Sequence, residues 1–534
     1  MKYPLLLIAF WLLLIIWVNP IGDFPLNDDW QYAYPVQQMV EEGHFEMQGQ
    51  FAPNILLQVV WGYLSCQVLG GFDFTHLRLG ILLLSLGCSL LLFHWLQKDG
   101  IEKRKSFGLS LVLMGSPLFF SLSYTFMTDV PFLLVGLLSL FFFSRYIEEG
   151  KLSSLGYASL VAVAAFAIRQ PGILFLLGFA VYIMVDQRRK KDRWLIASLL
   201  IATGGLAYLG MEKWLKPILG IRDNYVPVAN IYFTEVFSKP LSVLNAWASR
   251  FLKTFIYIGV FTLPLFPFVW DKLRQSGFFK RYTLFITFSI NIVLFGLTLL
   301  AGKTFPFGGN VWFNWGLGPE LLKDVYTLSL ENTPRIPVGC LYALQLLGQL
   351  QISAILILLW KTWNERSRSN QQFIIWLILM NGLYLGVISI FSYFDRFTLL
   401  CLVSCLYILS PWLSFPNRQL RWAAVLPFGL LLFFSVVATK DYLNWNRARA
   451  EAYAWLHQEG ISIEQMDAGY EYNGWYNYHR HPIQADGRSF WWVTDEDYLI
   501  TFGPVQGYRS IQVFPYYRYL WWKKDQIWVL QREK

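Results

Sequence analysis

Charged residues are scarce in this sequence. Asp, Glu, Lys and Arg make up 15% of its 534 residues and hydrophobic residues 55%, whereas soluble proteins carry about 25% charged residues. The composition excludes a water-soluble globular protein, and it also excludes a disordered chain, a collagen and a basic nucleic-acid-binding arm. Aromatic residues are abundant instead, with 44 Phe, 29 Tyr and 24 Trp, as is typical of chains that contact a bilayer interface.

Cysteine is also rare, and its spacing fits neither a zinc site nor a redox motif. We expect buried thiols, no structural disulfide and no metal cluster. His479 and His481 form an i, i+2 pair, but no third ligand follows at a suitable spacing. The sequence therefore indicates no cofactor and no divalent metal. The cysteines are Cys66, Cys88, Cys340, Cys401 and Cys405.

Apolar runs long enough to cross a bilayer recur along the chain. The first run lacks the small-residue cleavage site of a signal peptide, so it is predicted to be an uncleaved span. Two runs, 152–168 and 173–185, are short for full spans, and a re-entrant hairpin is the alternative there. The sequence predicts a polytopic α-helical membrane protein with about thirteen transmembrane helices. They cover residues 4–18, 76–96, 107–126, 130–146, 152–168, 173–185, 194–211, 251–270, 282–301, 338–360, 373–394, 397–413 and 422–439.

Basic residues divide the loops between these runs into two sets. One set is rich in Lys and Arg and includes QKDGIEKRKS, DQRRKKDR and DKLRQSGFFKR, whereas the other, with NDDWQYAYPVQ and FMTDV, is nearly free of them. Because basic loops stay in the cytoplasm, the amino terminus is predicted to be cytoplasmic and the segment after residue 439 extracytoplasmic. We expect a bacterial-type inner or plasma membrane, and the net charge of +9 is chiefly an orientation signal.

Two outer segments are more than simple loops. Residues 21–75 contain QYAYPVQQMVEEG and NILLQVVWGYLSCQVLG, which predict helices in the membrane interface. Residues 440–534 begin with the helical stretch YLNWNRARAEAYAWLHQEG and continue in SIQVF, YYRYLWW and QIWVLQR, which predict strands. We therefore divide the chain into a transmembrane domain, 1–439, and a small extracytoplasmic α/β domain, 440–534.

Acidic residues near a bilayer are costly and are often functional. Asp28 and Asp29 follow the first span in LNDDWQYA, and Asp129 lies at the next outer turn in YTFMTDVPF. Each site precedes or begins a helix, so capping of that helix is the alternative interpretation. Because both sites are predicted on the same face and at the same depth, we expect Asp28 or Asp29 and Asp129 to line one cavity.

In order and position these elements resemble the GT-C type membrane glycosyltransferases that use lipid-linked sugars, in particular the protein O-mannosyltransferase and aminoarabinose transferase branch. That family has an acidic pair in the first long outer loop, interfacial helices and an acidic residue at the next outer turn, matched here by NDDWQYA and TDVP. The late element SYFDRFTLL, with Asp395 and Arg396, resembles the family's Arg-containing aromatic element. Two features depart from the branch: Asp-Asp replaces Asp-Glu, and its Lys-Pro-Pro element is replaced by QFAPNILLQ.

The resemblance implies transfer of a hexose or pentose from a polyprenyl (undecaprenyl-type) phosphate, with inversion, to a lipid, protein or polysaccharide acceptor on the extracytoplasmic face. Asp28 or Asp29 is the expected general base, and Asp129 a second acidic group that positions the acceptor or its partner. The partners expected besides the donor and acceptor are membrane lipids, and nucleic acid is not expected.

Cations near the outer span ends are the candidates for the donor phosphate: Arg396, Arg169, Lys303 and Arg78. Extension of the side chain to the lipid interface is the alternative for Arg78 and Lys303, and pairing with Asp395 is the alternative for Arg396. Two other functions remain open at this point. A glycolipid carrier or flippase would place charged or broken-helix elements near the bilayer midplane, and a lipid-linked oligosaccharide polymerase or ligase would share the topology.

Overall fold

The computed structural model shows a predominantly helical chain that ends in a small sheet. It describes residues 2–47, 54–185, 191–219, 234, 236–277, 281–302, 304–365, 368–388, 393–413, 418–478, 480, 492, 493 and 495–533. The predicted fold class, a helical membrane protein with a carboxyl-terminal α/β unit, is confirmed. His479, His481 and Lys303 lie outside the described residues.

The helices of the first half follow the apolar runs closely. Both segments of residues 21–75 that were predicted to be helical form helices, α2 (Asp29–Glu41) and α3 (Leu56–Leu69). The helices are α1 (Lys2–Val18), α2 (Asp29–Glu41), α3 (Leu56–Leu69), α4 (Phe74–Lys98), α5 (Lys103–Met114), α6 (Pro117–Leu122), α7 (Asp129–Glu149), α8 (Leu152–Phe166) and α9 (Ile173–Val185).

The helices of the second half are longer and less regular. α10 passes through a π-helical turn, Gly210–Leu215, before it ends. The helices are α10 (Arg193–Ile218), α11 (Pro240–Phe261), α12 (Phe266–Gln275), α13 (Arg281–Leu300), α14 (Val338–Lys361), α15 (Arg368–Ile388), α16 (Thr398–Leu409), α17 (Arg418–Gln458) and α18 (Tyr470–Asn477).

The predicted number of thirteen spans is not confirmed. Among the described residues, six helices are long and apolar enough to cross a membrane, or seven if the pair α11 and α12, bent by 56°, is one span. Shorter apolar helices such as α1, α3, α8 and α9 add to these. Large apolar side chains remain exposed on several helices, for example Ile16 on α1 and Phe285 on α13, as expected for surfaces that meet lipid.

The predicted span 107–126 is wrong as a continuous helix. α5 ends at Met114, and α6 begins at Pro117 and ends at Leu122. Ser116 is extended, with ψ at 127°, because the ring of a following proline disfavours helical backbone. The run was apolar enough to predict a span, but Pro117 divides it.

α17 connects the apolar region to the carboxyl-terminal sheet without a break. It is 41 residues long, and the predicted domain boundary between Thr439 and Lys440 lies inside it. The Asp441 carboxylate of this helix accepts the backbone N–H groups of Tyr519 at 2.7 Å and Leu520 at 2.9 Å. A turn of the sheet is thus fixed directly on the helix.

The carboxyl-terminal sheet has four strands in the order β3 (Met466–Asp467), β4 (Tyr498–Thr501), β6 (Lys523–Arg532) and β5 (Tyr508–Arg518). The β3 and β4 strands are parallel, and β6 is antiparallel to both β4 and β5. YYRYLWW is not a separate strand as predicted, since its first three residues end β5 and the next three form a turn. A two-stranded hairpin, β1 with β2, lies before α14. The strands are β1 (Trp312–Phe313), β2 (Gly316–Leu317), β3 (Met466–Asp467), β4 (Tyr498–Thr501), β5 (Tyr508–Arg518) and β6 (Lys523–Arg532).

The cysteines are free thiols among the described residues. Cys66, Cys88 and Cys401 are buried as predicted, and Cys405 is half-buried. Cys340 is exposed, contrary to that expectation, because it lies in the first turn of α14, where Val338 is exposed as well.

Candidate active site

Four charged residues that are far apart in the sequence meet where helices begin or end. Asp28 directly precedes α2, and Asp129 is the first residue of α7. Arg169 is an extended residue in the turn between α8 and α9. Arg396 lies in a short helical turn directly before α16. All four side chains therefore lie at breaks between helices.

The Arg396 guanidinium lies between the two candidate carboxylates. Its Nη1 is 3.3 Å from Asp28 Oδ2 and 3.8 Å from Asp129 Oδ2. The two carboxylate oxygens are therefore no farther apart than the sum of these distances. Arg169 forms a second ion pair with Asp129, through Oδ1. We call Asp28, Asp129, Arg169 and Arg396 the charged cluster.

The charged cluster is buried unevenly. The Asp129 side chain is 3% exposed, whereas that of Asp28 is 20% exposed. Burial lowers the pKa of Arg396, but the carboxylates of Asp129 and Asp28 outweigh this effect and raise that pKa above its ordinary value. Arg396 therefore stays charged, and Asp28 is the more accessible of the two acidic groups.

Asp29 is in a different environment from its neighbour. It is fully buried, and its Oδ1 accepts the backbone N–H of Phe126 at 2.8 Å. Its Oδ2 has no hydrogen-bond partner among the described residues. Burial raises the pKa of Asp29 to about 8. Burial thus favours the protonated form of this carboxyl, which joins α2 to the turn before α7.

The alternative interpretations of the acidic residues find little support in the geometry. The Asp28 side chain makes no capping hydrogen bond to α2 in the described structure, and neither does Thr128 to α7. The Asp395 carboxylate accepts the backbone N–H groups of Trp312 at 2.6 Å and of Arg396 at 2.8 Å. Asp395 therefore binds backbone amides and leaves the Arg396 side chain to Asp28 and Asp129.

Arg78 lies outside the charged cluster. It is fully buried, and its guanidinium donates to the backbone carbonyls of Pro20, at 3.2 Å, Gly22 and Phe24. Its side chain thus braces the segment that leads to Asp28. The sequence identified Arg78 as a cation near a span end, but it could not distinguish a group of carbonyl acceptors from a phosphate.

Sequence reasoning missed Tyr470 of α18. Its hydroxyl donates to Asp28 Oδ1 at 3.1 Å and accepts from Gln31 Nε2 at 2.8 Å. Tyr470 is 442 residues from Asp28, so no local pattern points to it. Tyr32 was also missed, although it lies one helical turn after Asp28. Burial and the charge of Asp28 raise the pKa of the Tyr32 phenol.

No group of three or more His, Cys, Asp or Glu side chains in the described part of the chain could hold a metal ion. The arrangement instead combines an accessible carboxylate with two guanidinium groups. Guanidinium groups bind phosphate through paired N–H donors, and a carboxylate can accept a proton. A proton acceptor and anion-binding groups thus lie side by side.

Comparison with known proteins gives one family match. Residues 61–208 match the family model described as dolichyl-phosphate-mannose-protein mannosyltransferase. This segment contains Asp129 and Arg169 of the charged cluster, whereas Asp28 and Arg396 lie on either side of it. No curated protein matches the chain.

Comparison with solved structures gives matches of low sequence identity. ArnT from Cupriavidus metallidurans in the apo state is 12% identical, with 98% of this chain and 97% of that chain covered and a TM-score of 0.40. ArnT bound to undecaprenyl phosphate is 13% identical, with the same coverage and a TM-score of 0.41. Arabinosyltransferase EmbB from Mycobacterium smegmatis is 13% identical, with 82% and 40% covered and a TM-score of 0.35. The family match over residues 61–208 confirms the predicted resemblance to the GT-C type membrane glycosyltransferases.

Proposed function

We propose that this protein is a membrane glycosyltransferase that moves one sugar from a polyprenyl phosphate to an acceptor on the extracytoplasmic face, with inversion at the anomeric carbon. The observation that carries the proposal is the charged cluster, in which the accessible carboxylate of Asp28 lies 3.3 Å from Arg396. The family match over residues 61–208 supports the same class of donor. In this proposal the amino terminus is cytoplasmic and residues 440–534 are extracytoplasmic.

Asp28 is the general base of the proposed reaction. The acceptor hydroxyl oxygen forms a bond to the anomeric carbon, and the bond from that carbon to the phosphate oxygen breaks. The electron pair of the broken bond leaves with the polyprenyl phosphate, and the acceptor proton goes to Asp28. Asp28 is chosen over Asp29 because Asp29 is fully buried and burial raises its pKa to about 8.

Arg396 and Arg169 are the proposed ligands of the donor phosphate. Each is paired with a carboxylate in the described structure, so the cluster carries as many positive as negative charges. When Asp28 takes the acceptor proton, the cluster gains one positive charge while the leaving phosphate gains one negative charge. Because the two opposite charges develop together, their attraction stabilises the transition state more than the bound substrate. Asp129 holds both guanidinium groups in place.

A panel of donors tests the proposal. The purified protein in lipid nanodiscs is incubated with polyprenyl phosphates that carry different hexoses or pentoses, each with lipid, peptide and polysaccharide acceptors. We expect release of polyprenyl phosphate with at least one donor, and a glycosylated acceptor of opposite anomeric configuration, detected by mass spectrometry and NMR. Movement of intact donors across the bilayer without release would instead support a carrier, and transfer of whole oligosaccharides would support a polymerase or ligase.

A further inference from the structure

A side chain of the carboxyl-terminal region reaches the proposed base. Tyr470, the first residue of α18, donates its hydroxyl hydrogen to Asp28 Oδ1 at 3.1 Å. The other carboxylate oxygen, Oδ2, faces Arg396 at 3.3 Å. The two oxygens of Asp28 therefore have different partners: Tyr470 is hydrogen-bonded to Oδ1 and Arg396 to Oδ2.

The position of Tyr470 is fixed by its neighbour in the sequence. Glu471 and Arg449 of α17 form an ion pair of 2.6 Å in which both side chains are fully buried. Glu471 Oε1 also accepts the backbone N–H of Asn27 at 3.2 Å, and Arg449 Nη2 donates to the carbonyl of Pro25 at 3.3 Å. This pair binds the residues directly before Asp28 to α17 and α18.

Aromatic packing fixes the same contact from the side of α2. Trp30 is fully buried, and its ring centroid lies 5.9 Å from that of Tyr470, 5.5 Å from that of Tyr478 and 5.4 Å from that of Trp492. Gln31 of α2 adds a hydrogen bond of 2.8 Å to the Tyr470 hydroxyl. Trp30 and Gln31 of α2 thus hold the Tyr470 phenol in the position from which it donates to Asp28.

We propose that Tyr470 is a positioning residue for Asp28, so that the carboxyl-terminal region completes the active site of the membrane region. This inference rests on the proposed function, in which Asp28 is the base. The phenol orients the carboxylate and stabilises its ionised form, because a hydrogen bond to a carboxylate favours the charged state. Other titratable or charged groups that face Asp28, directly or through Arg396, are Asp29, Tyr32, Asp129, Arg169 and Arg396.

Removal of one hydroxyl group tests this role. In Tyr470→Phe, the ring that packs on Trp30 remains, and the hydrogen bonds of the hydroxyl to Asp28 and from Gln31 are lost. We expect kcat to fall about tenfold and the acid limb of the kcat/KM profile to move upward by about one pH unit. The KM for the donor should stay within about twofold, because Arg396 and Arg169 are untouched.

The matched control is Tyr472→Phe on the same helix. The Tyr472 hydroxyl is hydrogen-bonded to His457 Nε2 at 2.6 Å and not to a carboxylate. Tyr472→Phe loses a partly buried hydrogen bond, as Tyr470→Phe does, so a merely structural role predicts similar kinetics for both variants. If Tyr470→Phe does not fold, Gln31→Leu takes its place. It removes the donor that polarises the Tyr470 hydroxyl and so weakens the hydrogen bond to Asp28. It should shift kcat and the acid limb in the same direction by a smaller amount, and unchanged values would overturn the positioning role.

The outcomes separate this inference from the proposed function. A lower kcat with a shifted acid limb in Tyr470→Phe but not in Tyr472→Phe supports the positioning role. Wild-type kinetics and an unshifted limb in an active, folded Tyr470→Phe protein overturn it while leaving the glycosyltransferase intact. Absence of turnover by the wild-type protein with the whole donor panel overturns the proposed function and this inference with it.

Discussion

Asp28 and Asp29 are adjacent in the sequence but differ in what surrounds them. Asp28 has a side chain that is 20% exposed and faces Arg396, whereas Asp29 is fully buried with its pKa raised to about 8 by burial. A buried neutral carboxyl can donate or accept a hydrogen bond. It is a poor base, because it already carries a proton and cannot contact the hydroxyl group of a sugar acceptor. The difference divides the acidic pair into a proposed catalytic member and a structural one.

The raised pKa of Asp29 predicts a pH-dependent stability. Between the unfolded value of 3.8 and the folded value of about 8, the folded protein binds a proton that the unfolded chain releases. The contribution of this group therefore lowers the stability as the pH rises through that window. Asp29→Asn keeps an acceptor for the Phe126 N–H but does not titrate. The melting temperature of Asp29→Asn, measured relative to that of the wild type, should therefore rise as the pH increases from acidic to mildly alkaline values.

Thermal unfolding in detergent at several pH values measures this difference, with Asp495→Asn as the control because that side chain is exposed. Asp495→Asn should follow the wild-type curve. A constant offset between Asp29→Asn and the wild type at all pH values would mean that Asp29 is ionised in the folded protein.

The residues that the sequence identified and those it missed differ in a physical way. Asp28, Asp129, Arg169 and Arg396 are charges beside apolar runs, and such charges are conspicuous because they are costly there. Tyr470 is an aromatic residue among many in an aromatic tail, and only the folded chain brings it to Asp28. The role of Arg78 depends on hydrogen bonds to backbone carbonyls, and a sequence does not show which carbonyls a side chain will contact.

At the scale of helices and strands, apolar runs predicted where helices lie better than where they end. The run 107–126 divides at Pro117, and the run 251–270 bends by 56° between α11 and α12. Both breaks contain a proline, but hydropathy alone does not distinguish a kink from an end. The long helix α17 crosses the predicted boundary at 439 because nothing in that stretch stops a helix.

The contact between α18 and α2 predicts the effect of a single methyl group. A Cβ on Gly474 would overlap the ring of Trp30, so Gly474→Ala should lower the free energy of unfolding by about 1–3 kcal/mol. It should also lower kcat, because Trp30 lies in the first turn of α2 beside Asp28. Thermal unfolding and turnover of the purified protein measure the two effects.

Gly429→Ala is the matched control within α17, since a Cβ there has no atom within 4 Å. Helix propensity alone favours alanine over glycine by about 1 kcal/mol, so this variant should be neutral or more stable. Equal behaviour of the two alanine variants would contradict the packing of α18 on α2.

At the scale of the whole molecule, the carboxyl-terminal region and the membrane region meet at the candidate active site. The fully buried pair of Arg449 and Glu471 binds the backbone of Pro25 and Asn27, and Tyr470 reaches the carboxylate of Asp28. The division into residues 1–439 and 440–534 remains a prediction, and the two parts share one helix and one site. Composition and charge predicted the membrane region and the tail, but they could not predict this contact, which depends on the fold.

The most direct measurement is the rate at which polyprenyl phosphate is released by the wild type, Asp28→Asn and Asp29→Asn with the best donor and acceptor at neutral pH. Loss of a general base typically costs about 10²–10⁴-fold in rate, so Asp28→Asn should fall by at least about 100-fold. Asp29→Asn should stay within a few-fold of the wild type, because burial favours the neutral form of Asp29 and the amide keeps an acceptor for the Phe126 N–H. Turnover by Asp28→Asn at the wild-type rate, at equal expression and folding, would contradict the assignment of Asp28 as the base.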